Sequence, residues 1–326
     1  MSIFMLEPAC KDYLWGGSRL KSEYGVRYDG EVLAEAWELS CHPDGPSRIA
    51  DGPYAGKTLQ EYIEKNGWQV LGTNCESYDR FPVLIKLIDA KQNLSVQVHP
   101  DDSYALSHEG QYGKTEMWVV CDAEPGAQLY YGFEKEISRD EFRARIEDGT
   151  LTEVLHAVPV KKGDVLFIAP GTIHAIGAGI LIAEVQQNSN VTYRVFDYGR
   201  VGKDGKKRAL HIEQALDVTK TAPVKMNAGS YPHLASCDYF TVDRLLLDGR
   251  YTSLAEGTID ETSFLSVLVL GGEGVMRCGT STVRYKKGDS LFIPAGAGRY
   301  LIEGSIDALL TTAGRQENTA EAEIAG

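Results

Sequence analysis

The stretch KKGDVLFIAPGTIHA, beginning at Lys161, returns 125 residues later as KKGDSLFIPAGAGRY, beginning at Lys286. Each copy reads as a tight turn at Gly-Asp feeding a short buried strand, Leu-Phe-Ile, that stops at a second turn of Pro and Gly. An apolar strand with its own Gly-containing turn precedes each copy: EMWVVCDAEPGAQLYYG from Glu116 and FLSVLVLGGEGVMRCG from Phe264. Such a unit cannot bury its apolar face alone, so its repetition directs the chain to a mainly β protein made of two related barrels. Pro and Gly gather between Ala222 and Pro232, where the periodic pattern lapses, which predicts domains at 1–225 and 226–326.

The copies differ in chemistry. Sliding the second onto the first puts Arg299 at the place of His174 and Phe264 near Glu116. The second barrel therefore lacks the groups that could hold a metal and is expected to be structural or a lid.

Helices are few and clearly signalled. Thr58-Leu-Gln-Glu61 and Ser138-Arg-Asp-Glu141 are capping boxes, in which the first side chain and the fourth carboxylate satisfy orphan backbone donors. The second box opens a helix with Phe142 and Ile146 on one face, ending near Gly149, as a small insertion within the first copy. A third short helix is expected over Ile212–Val218.

Composition narrows the class. With 326 residues, 43% hydrophobic and 24% charged, the chain can bury a sizeable core. No stretch approaches the ~18 uninterrupted apolar residues of a membrane helix, and MSIFMLEPACKDYLWGG lacks the basic and apolar regions of a signal peptide, so the expected location is the cytoplasm. Six cysteines without a C-x-x-C pair argue against a disulfide framework or a Cys-based zinc ribbon. A formal charge of −13, with no long basic stripe to offset it, works against nucleic acid and anionic membrane as partners. The basic runs Lys203 to Arg208 and Lys286 to Lys287 read as solvated turns.

The segment LSVQVHPDD, from Leu94, is a strand with alternating polarity. Leu94, Val96 and Val98 share one face, while Ser95, Gln97 and His99 share the other. In a small barrel the first set would pack outward and the second would line the lumen, where each unpaired polar group costs about 1–3 kcal/mol. A divalent metal is one partner they could share. Further candidate ligands are Glu116, at the start of the next strand, and His174, just after a turn at the barrel mouth. Two imidazoles, a carboxylate and an amide oxygen suit Zn²⁺ or a similar first-row ion with one position open. The plainer alternatives are a strand-end histidine bonded to backbone, a surface strand terminus and a turn residue. His108, His156, His211 and His233 read as helix or loop surface, and His42 as part of a turn.

Downstream, ILIAEVQQNSNVTYRVFDYGR places Glu184 and Gln186 on one strand face and Thr192 and Arg194 on the returning strand. Glu184 and Arg194 could equally form an ion pair or belong to an active site.

QNLSVQVHPDD, GKTEMWVV, FPVLIKLIDAK and the run GDVLFIAPGTIHAIGAGILIAEVQQNSNVTYRVFDYGR together resemble the type I mannose-6-phosphate isomerases, the phosphomannose isomerases of the cupin superfamily. The resemblance runs from about Tyr13 through the second copy. It implies two cupin barrels of double-stranded β-helix (jelly-roll) type and a short bacterial form without the large helical domain of longer members. It further implies one zinc ion per chain on Gln97, His99, Glu116 and His174, with Arg194 in the active site and Glu184 beside the substrate. Lys114, Lys86 and Ser95 would help hold a sugar phosphate. The implied reaction interconverts mannose 6-phosphate and fructose 6-phosphate through an enediolate, with Glu184 or Lys114 as proton carrier. An iron-dependent cupin oxygenase and a non-catalytic sugar-binding cupin are the competing readings. The chain is expected to be a monomer or small homo-oligomer.

Overall fold

The computed structural model describes residues 3–202, 205–226 and 229–315. Lys203, at the head of one basic run, lies outside them. The two KKGD turns are the same structure twice. In each, the Lys N–H donates to the Asp carboxylate, Lys161 to Asp164 and Lys286 to Asp289, both at 2.8 Å. Gly163 (φ 92°) and Gly288 (φ 93°) hold the left-handed conformation that the turn requires. Their N–H groups donate to Val120 O and Val269 O, again both at 2.8 Å. The strands that follow, Val165–Ile168 and Ser290–Ile293, then pair antiparallel with Glu116–Ala123 and Leu265–Cys278.

This register corrects the sliding comparison by one residue. Ile168 pairs with Glu116, and its counterpart Ile293 pairs with Leu265, so Leu265 rather than Phe264 takes the place of Glu116. A single step along a strand turns a side chain to the other face, so the distinction matters. Leu265 and Val267 belong to an all-apolar cluster with Leu291, Ile293, Ile302 and Ile306. Arg299 is exposed and pairs with Glu256.

The chain forms two compact units whose boundaries differ from 1–225 and 226–326. One comprises Met1–Ala9, Trp37–Leu84 and Gly229–Gly326; the other comprises Cys10–Ala36 and Ile85–Ala228. The cause is a long-range pairing that local composition does not announce. The N-terminal strand Phe4–Glu7 adds to the nine-stranded sheet of the first unit, with Phe4 opposite Phe292 and Leu6 opposite both Ser290 and Ile49. Phe4 also packs its ring on Tyr62, centroids 4.7 Å apart, on the helix Leu59–Asn66. That helix carries the complete Thr58–Glu61 capping box.

The second unit carries a five-stranded sheet whose order runs Tyr193–Phe196, Val96–Val98, His174–Ala175, Gln128–Phe133, Leu155–Pro159. Val96 and Val98 face a buried cluster with Phe142 and Ile146 of the helix Arg139–Glu147 and Ala215 and Leu216 of the helix Ile212–Val218. Val96 and Val98 thus pack outward under two helices, and the polar set is left for the interior, whereas Leu94, expected on the outward face, joins the interior cluster of Trp118 and Leu129 because the regular strand begins only at Val96. Ser138 caps its helix by accepting from Glu141 N–H at 3.0 Å, while the Glu141 carboxylate lies toward Arg145, 3.7 Å away. On the inward side a separate cluster joins Leu129, Tyr131 and Val158 to Trp118, Leu166 and Ile182 of the facing sheet. The molecule is mainly β, two barrels with a small helical insertion.

Candidate active site

Strand register brings the polar residues into rows. In the five-stranded sheet, Gln97 is the direct antiparallel partner of His174 on one side and of Arg194 on the other. Paired residues share a face, so the three side chains stand side by side. In the facing sheet, Glu184 is opposite Trp118 and Gln186 opposite Glu116.

His99, Glu116 and His174 are fully buried and offer ligand atoms that all lie within 4.8 Å of one another, the one such cluster of His, Cys, Asp and Glu among the described residues. His99 Nε2 is 3.1 Å from Glu116 Oε1, and His174 Nε2 is 3.9 Å from Glu116 Oε2. Each imidazole is anchored from behind. Nδ1 of His99 donates to Val191 O at 2.8 Å and Nδ1 of His174 to Thr172 O at 2.9 Å, which leaves both Nε2 atoms as lone pairs facing Glu116. Gln97 completes the group with its amide nitrogen 3.4 Å from His174 Nε2, and a half-turn of the amide presents its oxygen instead. The backbone anchors of the plainer reading are therefore present, and they aim the imidazoles at a common point. That donor chemistry fits a first-row divalent ion. The set already attracts a cation: the Lys114 ammonium sits 3.2 Å from His99 Nε2 and against Glu116 Oε1.

Electrostatics sort the groups. Burial, with the Lys114 charge adding to it, pushes His99 down to about 3, and burial lowers His174, so both are neutral imidazoles. Burial alone would raise Glu116, but Lys114 and His99 outweigh it and hold the carboxyl well below its ordinary range. Glu184 moves the other way, raised by burial and by the neighbouring Glu116 charge. Burial opposes the charge on Lys86, yet Glu184 (Oε1 3.1 Å away) and Glu35 (3.9 Å) win and keep it an ammonium. Glu184 and Arg194 do not pair with each other, because Glu184 is committed to Lys86. Arg194 donates to Ser95 Oγ and Ala209 O, both at 3.3 Å, and among the described residues no carboxylate lies within ion-pair distance of it.

A cavity of about 250 Å³ collects Lys86, Ser95, Gln97, Lys114, Glu184 and Arg194. Every residue expected to touch substrate therefore lines one pocket, and His99, Glu116 and His174 are buried against two of its lining residues, Gln97 and Lys114. The pocket also contains Glu35, Tyr13, Trp15, Arg208 and His211, which the sequence reading missed. His211 corrects the surface assignment: it precedes the Ile212–Val218 helix, and its Nδ1 accepts from Arg194 N–H at 3.2 Å. His156 and His233 lie on strands, paired with Glu134 (2.7 Å) and Asp243 (2.9 Å). His42 lies beside a turn, with its ring buried against Trp37. Trp118, whose indole N–H reaches both Glu116 and Glu184, was legible only as one letter of T-E-M-W.

Two related β-barrels, one with a filled apolar interior and the other with imidazoles and carboxylates converging in its lumen, define a bicupin protein with one candidate metal centre among the described residues. Residues 3–119 match the family model described as phosphomannose isomerase type I, catalytic domain, and residues 231–312 match the mannose-6-phosphate isomerase cupin domain. The chain is 38% identical over 303 residues to the mannose-6-phosphate isomerase of Streptococcus mutans, covering 90% of this chain and 93% of that one. It is 36% identical over 315 residues to mannose-6-phosphate isomerase ManA of Bacillus subtilis, covering 94% and 97%. The crystal structure of the Bacillus subtilis mannose 6-phosphate isomerase matches with a TM-score of 0.85 at 34% identity, covering 95% of this chain and 99% of that one. The chain belongs to the type I mannose-6-phosphate isomerase family.

Proposed function

We propose that this chain interconverts mannose 6-phosphate and fructose 6-phosphate, using one divalent ion, Zn²⁺ by donor type, held by Gln97, His99, Glu116 and His174. The observation that carries the reading is the convergence of two anchored imidazole lone pairs on Glu116 beside a pocket that also holds a protonatable carboxylate and an uncompensated guanidinium. When bound, the ion would supply Lewis-acid stabilisation for the oxygens that gain charge as the sugar passes through its enediolate.

The remaining work falls to side chains. Glu184 takes the proton from C2 of the aldose at a carboxylate oxygen and returns it to C1, while the hydroxyl proton passes from O2 to O1 as the carbonyl moves from C1 to C2. Its raised pKa suits a group that must accept and release a proton near neutrality. Lys114, held against Glu116 and His99, is placed to orient a sugar oxygen at the same end of the pocket. Lys86 steadies the Glu184 carboxylate.

The distribution of charge supports a location for the phosphate. Lys86 and Lys114 are each matched by buried carboxylates and sit at the reacting end. Arg194 has none, and Arg208 on the same pocket wall shares Asp197 with Arg200, leaving an excess of positive charge at this end. This favours Arg194 as the phosphate's partner, with Ser95 holding the guanidinium in place. No helix among the described residues is long and apolar enough to cross a membrane. Family membership favours the isomerase over an oxygenase or a non-catalytic binder. The test is a coupled assay for fructose 6-phosphate formed from mannose 6-phosphate with zinc present: turnover supports the reading, and none by a zinc-loaded, folded protein overturns it.

A further inference from the structure

The Trp118 indole is a neutral donor shared by two buried carboxylates of the site, Glu116 and Glu184. Its Nε1–H lies 3.0 Å from Glu116 Oε2 and 2.9 Å from Glu184 Oε2. Strand geometry makes this possible: Trp118 stands two residues from Glu116 on the same face, and Glu184 is its direct cross-strand partner. The ring is fully buried and meets the His174 ring edge-on, centroids 5.3 Å apart.

We propose that Trp118 is a positioning residue that fixes the rotation of both carboxylates, and through Glu116 the readiness of the site to take its metal. The terminal torsion of a glutamate is soft and roughly two-fold, so burial alone leaves the plane of the carboxylate undetermined. Pinning one oxygen of each group to a common N–H decides the direction of the other. Glu116 Oε1 is turned to His99 and Lys114, and Glu184 Oε1 to Lys86. A cationic donor at this position would neutralise Glu116 and compete with a metal for it. The indole satisfies an oxygen of each carboxylate without adding charge, and outer hydrogen bonds of this kind tune metal affinity. In the second barrel the equivalent position is Val267, beside Leu265, where no carboxylate needs holding.

This inference rests on the proposed metal site, and the experiment separates the two. Trp118→Phe keeps an aromatic ring and removes the N–H. Zinc affinity is read by competition with a chromophoric chelator, and kcat and KM are read at saturating zinc. The expected result is a dissociation constant about 10- to 100-fold weaker, with kcat reduced and KM for mannose 6-phosphate nearly unchanged, since Arg194 and Ser95 are untouched. Unchanged affinity and kcat in a folded Trp118→Phe protein overturn the inference, and a wild-type protein that binds no zinc overturns the site itself. Should the variant fail to fold, the wild-type protein decides. Its four tryptophans give four indole N–H resonances, assigned with Trp15→Phe, Trp37→Phe and Trp68→Phe. The Trp118 signal shifts on stoichiometric zinc if the inference holds and stays in place if it does not.

Discussion

Lys86 and Glu184 form an ion pair, Nζ to Oε1 3.1 Å, with both side chains almost wholly withdrawn from water. Such a pair is weak evidence for stability, because desolvating both charges costs most of what their attraction returns. Its use here is to set the proton affinity of a carboxylate beside a second carboxylate. Burial and Glu116 raise Glu184, and Lys86 restrains the rise. If Glu184 carries the proton as proposed, turnover needs its carboxylate, and kcat/KM falls as pH drops through a pKa that lies above the ordinary 4.5. Removing the ammonium in Lys86→Met moves that acid limb to higher pH. The pH profile of kcat/KM checks both signs, and a limb that moves down in Lys86→Met contradicts them.

His99→Ala and His174→Ala each delete an imidazole whose other nitrogen is anchored to backbone. Both variants are expected to lose bound zinc together with activity, by a factor on the order of 10³, the value of several kcal/mol of charge stabilisation. Metal analysis after gel filtration checks the coupling. Full zinc content in both variants removes the ligand assignment.

Arg194→Ala is expected to keep its zinc and lose about 30- to 1,000-fold in kcat/KM for mannose 6-phosphate, the usual cost of truncating one partner of a desolvated charge pair. The rate on unphosphorylated mannose should change little. An equal loss on both sugars would move Arg194 from the phosphate to the reacting end.

Leu265→Glu rebuilds the carboxylate of the first barrel in the second, at the position fixed by the pairing of Ile293 with Leu265. The neighbouring lumen positions are apolar, so the new charge is buried without a partner and destabilises the protein by about 3–5 kcal/mol. Thermal unfolding measures the loss, and metal analysis is expected to show no second ion. A variant as stable as the wild type would mean that Leu265 does not face the interior.

Much of the site was legible because its residues sit in strands with alternating polarity. Ser95, Gln97 and His99 could be assigned inward because Val96 and Val98 had to go outward, and one of the helices that cover them, Arg139–Glu147, was announced by its Ser138 cap and its Phe142 and Ile146 face. Glu116 and His174 stood at strand boundaries beside repeated turns, and their counterparts in the second copy were apolar or exposed. What stayed hidden depends on distant pairing. No local pattern tells that Phe4–Glu7 joins the sheet of residues more than two hundred positions later, nor that Glu35, Arg208 and His211 reach one pocket. The one-residue error at Phe264 has the same origin, since register is set by the Gly288 and Val269 bond across the turn rather than by sequence alignment.

The account depends on a cation seated among Gln97, His99, Glu116 and His174, and chelation tests it most directly. Wild-type protein, stripped with a chelator and dialysed, should lose its mannose 6-phosphate isomerase activity and regain it in proportion to added zinc, saturating at one equivalent per chain. Full activity in protein shown by metal analysis to be free of any divalent ion would contradict it.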